Sequence, residues 1–274
     1  MKIEPGQVAF VTGGASGIGL AIAQALGARG VAVMLTDIDP QQMTRAAAEF
    51  PGRCETFTMD VRNRDDWEAA KQACEQRLGP VDIVVNNAGI GPDGRSLAEM
   101  PASHFDQVIA INLTGVFNGI HSFAAAMQAR GRGHIVNTAS MAGLTAGPNL
   151  GAYTAAKFGV VGMSEVLQKE LAASGVGVSV LCPGLVATRL GETSTALGVD
   201  RKTGNLAGTA SGIDPAMVGE RTVAAIEAND LYILTHGEYA PMVAKRSQRL
   251  AEAWAKTPVS GLNRDPSEVY EAKK

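Results

Sequence analysis

The chain has 274 residues, of which 46 % are apolar and 19 % charged, and a net charge of -3. This composition supports a sizeable core and argues against disorder, and the charge leaves no basic footprint for nucleic acid. No run of about 18 apolar residues occurs, so no membrane-spanning helix is expected, and Cys54, Cys74 and Cys182 are too scattered for a disulfide framework or a metal site.

The elements follow in chain order. Gln7 to Thr12 reads as a strand, Gly17 to Arg29 as a helix ended by Gly30, Val31 to Thr36 as a second strand and Pro40 to Glu49 as a second helix. Arg53 to Met59 is a third strand and Arg64 to Leu78 a third helix; Val81 to Val85 is a nearly all-apolar fourth strand. A long amphipathic helix then carries Phe105, Val108, Leu113, Val116, Ile120 and Met127 near one face. His134 to Ala139 is a fifth strand, Ala152 to Ala173 a helix, Val176 to Leu181 a sixth strand and Leu231 to Leu234 a seventh.

Strands alternating with helices of this length indicate βαβ units, and uniformly apolar strands indicate burial on both faces. The expected fold is therefore α/β: a Rossmann-like doubly wound parallel sheet of about seven strands, in three α/β/α layers and a single domain. That domain is placed at residues 1–240, with a C-terminal helical extension and tail at 241–274. Leu190 to Ile213 breaks the regularity, being rich in Gly, Thr, Ser and Asn. A long loop in a compact domain is usually functional, so 190–213 is read as the substrate loop.

Several motifs fall at the carboxyl ends of these strands, where open α/β sheets bind ligands. The first strand runs into T-G-G-A-S-G-I-G, with Gly13, Ser16, Gly17, Ile18 and Gly19. A glycine-rich turn there lets backbone approach a pyrophosphate at a helix N-terminus. Asp37 ends the second strand, eighteen residues past Gly19, where a carboxylate would accept the adenosine ribose hydroxyls and repel a 2′-phosphate. Ser16 occupies the loop in place of Arg or Lys, and no arginine follows Asp37 directly, so NAD is expected in preference to NADP. Asp39, ahead of Pro40, is read as a helix cap. Asp60-Val61 follows the third strand, Asn86-Asn87-Ala88-Gly89 the fourth, Ser140 the fifth and Pro183-Gly184 the sixth.

Tyr153 and Lys157 stand four apart in G-A-Y-T-A-A-K, thirteen residues after Ser140, and so share one helix face. A neighbouring ammonium favours the phenolate. Bringing a phenol of pKa ~10 near neutrality takes roughly three units, or about 4 kcal/mol. Such a poised group suits proton exchange with an alcohol.

Taken in order, T-G-G-A-S-G-I-G, N-N-A-G, I-N-L-T-G with Asn112, Ser140, Y-T-A-A-K and P-G-L-V-A-T resemble the short-chain dehydrogenase/reductase family in its compact single-domain branch, over about residues 5–235. The resemblance implies an NAD-dependent oxidoreductase that moves a hydride between a secondary alcohol or ketone and the nicotinamide. It implies Tyr153 as acid/base, with Ser140 orienting the substrate oxygen and Lys157 lowering the Tyr153 pKa and binding the nicotinamide ribose. Asn112 would hold a water that links Lys157 to solvent. Thr188 would contact the carboxamide, with Pro183 and Val186 beside the ring. Asn87, Ala88 and Gly89, with Asp60 and Val61, would line the adenosine side, and Thr12 would tie the glycine-rich loop to N-N-A-G.

A catalytically silent dinucleotide sensor or scaffold on the same fold is the alternative, disfavoured by the intact Asn-Ser-Tyr-Lys set. The substrate is expected to be a neutral or apolar small molecule, with Ala142, Gly143 and Asn149 near its mouth. No metal, nucleic-acid or membrane partner is expected. A homo-oligomer, dimer or tetramer, is expected in the cytoplasm, given reduced thiols and no secretory apolar region in M-K-I-E-P-G-Q. One departure stands out. Where many family members end on V-D-G-G, this chain reads L-Y-I-L-T-H-G-E-Y over 231–239, then adds a helical stretch from Pro241 to Lys256 with Met242, Val243, Leu250 and Trp254 as apolar anchors. The L-Y-I-L-T-H ending is similar to that of members that oxidise bulky aromatic or hydroxy-alkyl alcohols.

Overall fold

The computed structural model describes residues 1–198 and 212–258; most of the expected substrate loop, 199–211, lies outside the described residues. The chain divides into two compact units, Met1–His236 and Gly237–Lys274.

The first unit is built on one seven-stranded sheet, with β1 (Val8–Thr12), β2 (Ala32–Asp37), β3 (Cys54–Thr58), β4 (Ile83–Asn86), β5 (Gly133–Thr138), β6 (Val176–Cys182) and β7 (Tyr232–Leu234). Every pairing is parallel and the order is β3-β2-β1-β4-β5-β6-β7. The chain moves outward from β1 to β3 and then returns to β4 on the other side of β1. That reversal leaves a crevice at the carboxyl ends of β1 and β4.

The helices are α1 (Gly17–Gly27), α2 (Pro40–Ala48), α3 (Arg64–Arg77), α4 (Ala102–Ile109), α5 (Gly115–Arg130), α6 (Gly151–Leu171), α7 (Leu190–Ala196) and α8 (Pro215–Ala228). Local chemistry starts several of them. Asp39 accepts hydrogen bonds from the Gln41 and Gln42 amides, as expected of a cap, and Pro40 fills the first turn of α2. Asn63 and Asp214 cap α3 and α8 in the same way.

The sheet buries both faces. Val11, Val33, Leu35 and Val85 pack with Ile22 and Leu26 of α1 and Val218 and Ile226 of α8. On the other face Phe10 stacks with Trp67 of α3 at 5.8 Å between ring centroids and meets Phe123 of α5 at 5.0 Å. Aromatic clusters of this kind add to the burial of their own large apolar area.

Two expectations change. The long helix is not continuous: a π-helical turn at Ala110–Thr114 separates α4 from α5 and turns Asn112 fully inward. By length and composition the run Ala102–Arg130 could cross a bilayer, but half of its apolar window is buried within the protein, as in a core helix. The substrate loop, read as irregular, opens with α7. Ser and Thr side chains of α7 bond back to carbonyls four residues earlier, which satisfies their hydroxyls within the helix.

The second unit contains a short 3-10 turn, Gly237–Tyr239, and α9 (Ala240–Trp254), with Pro241 in its first turn. None of its described residues is buried; Met242, Leu250 and Trp254 are exposed.

Candidate active site

The site is built where β1, β4, β5 and β6 end. The β1–α1 turn needs glycine twice for its conformation, with Gly13 at φ +62° and Gly17 at φ +54°. A Cβ on Gly19 would collide with the Gly13 carbonyl and the Asn87 side chain. Ser16 stands at the N-cap of α1 but makes no side-chain cap, so the first-turn amides of α1 keep their donors for a ligand.

Thr12 performs the expected tie. Its Oγ1 accepts from the Asn87 amide at 2.9 Å and from the Ala88 amide at 3.1 Å. Asp37 has two partners: Oδ2 accepts from the Ala15 amide at 3.2 Å, within the glycine-rich turn, and Oδ1 from the Asp39 amide at 3.2 Å. Burial raises the Asp37 pKa above the usual carboxylate value, and the backbone donors oppose that rise. Asp60 is held by Arg62 at 2.5 Å, an ion pair that lowers its pKa. The Val61 carbonyl accepts from the Trp67 indole at 2.9 Å and the Asn118 amide at 3.0 Å.

The residues expected to be catalytic gather between β5 and α6. Ser140 directly follows β5 and Ala139, whose amide continues the ladder to Leu181 at 2.7 Å. Its Oγ accepts from the Ala142 amide at 3.1 Å, and it bonds to the Tyr153 hydroxyl. Lys157 is buried one turn further along α6, its Nζ 5.6 Å from the Tyr153 ring centroid and 2.8 Å from the Thr138 carbonyl it donates to. Burial lowers the Lys157 pKa to about 8.

The expected lowering of the Tyr153 pKa is not found. Burial raises it, and the Ser140 hydrogen bond only partly opposes that. The ammonium is spent on the Thr138 carbonyl, so it does too little at the phenol to outweigh desolvation.

Asn112 is locked. Its Oδ1 accepts from the Ile90 amide and its Nδ2 donates to the Ile90 carbonyl, both at 2.8 Å. A Cβ on Gly89 would lie 3.1 Å from Asn112 Oδ1 and 3.7 Å from Lys157 Nζ, so Gly89 sits between the two. On the far side, Gly17 faces Thr188, whose Cγ2 would be 3.2 Å from a Cβ there. The glycine-rich turn and the segment after β6 therefore meet. Pro183 and Val186 of that segment are buried. Of the residues expected at the mouth, Gly143 is not there: its backbone packs against the Lys157 carbonyl, leaving no room for a Cβ. Ala142 is half-buried and Asn149 exposed, with φ +62°.

Sequence reasoning missed three contacts. The Gly91 amide donates to Ser194 of α7 at 2.8 Å, and Gln107 of α4 donates to the Leu197 carbonyl at 2.7 Å, so α7 is fastened over the chain that leaves β4. The third joins His236 to Gly184 and Leu185. No periodicity or motif announces contacts across 51 to 103 residues of chain.

A family model described as short chain dehydrogenase matches residues 7–196. The chain belongs to the short-chain dehydrogenase family. It is 30 % identical over 271 residues to the C alpha-dehydrogenase of Sphingobium sp., covering 93 % of this chain and 88 % of that one. It is also 40 % identical over 188 residues, or 67 % of its length, to the probable oxidoreductase EphD of Mycobacterium tuberculosis, but spans only about a third (32 %) of that protein. Among solved structures, a short chain dehydrogenase/reductase of Burkholderia phymatum in complex with NAD superposes with a TM-score of 0.84 at 31 % identity, over 96 % of this chain and 100 % of that one. That family comprises oxidoreductases on a Rossmann-like fold that use nicotinamide cofactors.

Proposed function

We propose that the protein is an NAD(H)-dependent dehydrogenase/reductase that interconverts a secondary alcohol and its ketone, with Tyr153 as acid/base. One observation carries this reading: Ser140, Tyr153 and Lys157 converge at the end of β5, beside the segment that leaves β6. The dehydrogenase from Sphingobium and the NAD-bound relative support it.

The residues present fit a dinucleotide. The glycine cradle and the uncapped first turn of α1 suit a pyrophosphate. Asp37 suits unmodified ribose hydroxyls and opposes a 2′-phosphate, which supports NAD over NADP. Gly13, Ser16, Gly17, Ile18 and Gly19 would hold the phosphates; Asp37, Asp60, Val61, Asn87, Ala88 and Gly89 the adenosine side; Lys157, Pro183, Val186 and Thr188 the nicotinamide side. When bound, the cofactor supplies the hydride acceptor or donor.

The chain's own residues handle the oxygen and its proton. The Ser140 hydroxyl orients the substrate oxygen. In reduction the Tyr153 phenol gives its proton to that oxygen, and in oxidation the Tyr153 oxygen takes the hydroxyl proton. Lys157 supplies positive charge behind the phenol, and Asn112 shapes the wall between Gly89 and Ile90. The raised Tyr153 pKa keeps it a competent acid at neutral pH. The α7 helix is fastened through Ser194 to the chain that leaves β4, and the substrate is taken to be a neutral or apolar small molecule. The test is absorbance-detected turnover of NADH and NADPH against a panel of ketones and of NAD against the matching alcohols. Turnover with NADH above NADPH is expected; no turnover on any secondary alcohol or ketone would sink the reading.

A further inference from the structure

β7 ends just before Thr235 and His236. Both side chains reach the segment leaving β6. The Gly184 amide points at the pair, 3.3 Å from Thr235 Oγ1 and 3.2 Å from His236 Nδ1. Thr235 Oγ1 and His236 Nδ1 are 2.6 Å apart, and His236 Nε2 is 3.0 Å from the Leu185 carbonyl. His236 as a whole is 8 % exposed.

Those partners assign the tautomer. A carbonyl only accepts, so Nε2 carries the hydrogen; a backbone amide only donates, so Nδ1 is bare. Gly184 makes the seat possible, since a Cβ there would stand 2.7 Å from the imidazole Cγ. The clamped segment also reaches the chemistry. The Pro183 carbonyl accepts from the Met141 amide at 2.9 Å and lies 3.5 Å from Ser140 Oγ, and the Leu185 carbonyl accepts from the Ile213 amide at 3.0 Å.

We propose that His236, backed by Thr235, is a positioning residue that fixes the Pro183–Val186 segment, so that the nicotinamide end of the site and the Ser140 hydroxyl share one register. This rests on the reading above, that the segment holds the nicotinamide. A histidine that only filled space would need neither nitrogen placed; here both nitrogens meet backbone groups of that one segment. The residues Thr235 and His236 also fall where the chain departs from the family's V-D-G-G ending.

The test uses the full chain. Affinities for NADH and for ADP-ribose, which lacks the nicotinamide, are measured by titration calorimetry for the wild type, His236→Phe, His236→Asn and Thr235→Val, with thermal melting of each. His236→Phe should weaken NADH about ten-fold, the effect of a lost hydrogen bond to a buried group, and leave ADP-ribose unchanged. His236→Asn keeps an acceptor for the Gly184 amide and should recover part of the loss. Unchanged NADH affinity in folded His236→Phe overturns the proposal, as does a parallel loss of NADH and ADP-ribose, which would mark a packing residue. If His236→Phe does not fold, Thr235→Val and His236→Asn carry the same comparison. A wild type that binds no NADH overturns the parent reading as well, and is recognised before any variant is compared.

Discussion

Lys157 donates to the Thr138 carbonyl at 2.8 Å while its ammonium stands 5.6 Å from the centre of the Tyr153 ring. The lysine is thus anchored to the end of β5 rather than to the phenol. Its charge is buried at a cost, and that cost separates stability from function at this position.

Lys157→Met should therefore raise, or at least not lower, the melting temperature at pH 7 while reducing turnover a hundred-fold or more. Burial lowers the folded pKa to about 8, so at pH 7 the folded chain still carries the ammonium, at a desolvation cost that the unfolded chain does not bear. Between about pH 8 and the unfolded value of 10.5 the unfolded state binds more protons, so stability rises with pH there and is least below pH 8. The recoverable energy is on the order of 3 kcal/mol, less the lost Thr138 bond. A clear drop in melting temperature for the variant would contradict the account.

Tyr153→Phe should lower turnover by roughly 10²–10⁴ while sparing ADP-ribose affinity. Because burial raises the phenol's pKa, ketone reduction, which uses the protonated form, should hold its rate from neutral into mildly alkaline pH. Alcohol oxidation, which uses the phenolate, should climb over the same range. Parallel pH profiles in the two directions, with hydride transfer rate-limiting, would remove Tyr153 from the role.

Asp37→Ser should shift the ratio of NADPH to NADH efficiency upward by about ten-fold or more, since it removes the charge that repels a 2′-phosphate. It also costs the bond to the Ala15 amide, so NADH binding should weaken as well. Steady-state comparison of the two reductants reads both effects. A wild type that prefers NADPH would refute the premise.

His134 gives an acid-stability prediction away from the site. It is fully buried, its Nε2 lies 2.8 Å from Ser179 Oγ, and burial lowers its pKa to about 3 from 6.5. The unfolded chain takes up a proton below pH 6.5 that the folded one refuses. Stability from this group is thus full above pH 6.5 and falls toward pH 3, by up to about 1.4 kcal/mol per pH unit. Urea unfolding at pH 5 and pH 7.5 should show the loss in wild type and a smaller one in His134→Gln. Equal losses in the two proteins would place the acid sensitivity elsewhere.

Much of this protein was legible in its residues. Strand and helix patterns recur in the chain with their ends displaced by one or two positions, because apolar periodicity and caps such as Asp39 act locally. The position of Asp37 at the end of β2 points to a ligand, yet its carboxylate also bonds the Ala15 amide, a contact between two turns that no local pattern encodes. Gly143 looked like open space beside Ser140 but is glycine because α6 packs against it.

The sequence by itself determined the doubly wound sheet and the set of residues at its carboxyl ends, because alternating strands and helices wind in one hand and put every βα turn on the same edge. Only the tertiary structure decided the balance within that set. Whether Tyr153 titrates above or below an ordinary phenol depends on burial against the reach of Lys157. Whether His236 is idle or holds Gly184 depends on β7 pairing with β6, which closes 52 residues of chain into a hydrogen bond. Desolvation and long-range contact are properties of the assembled core, and no window of sequence carries them.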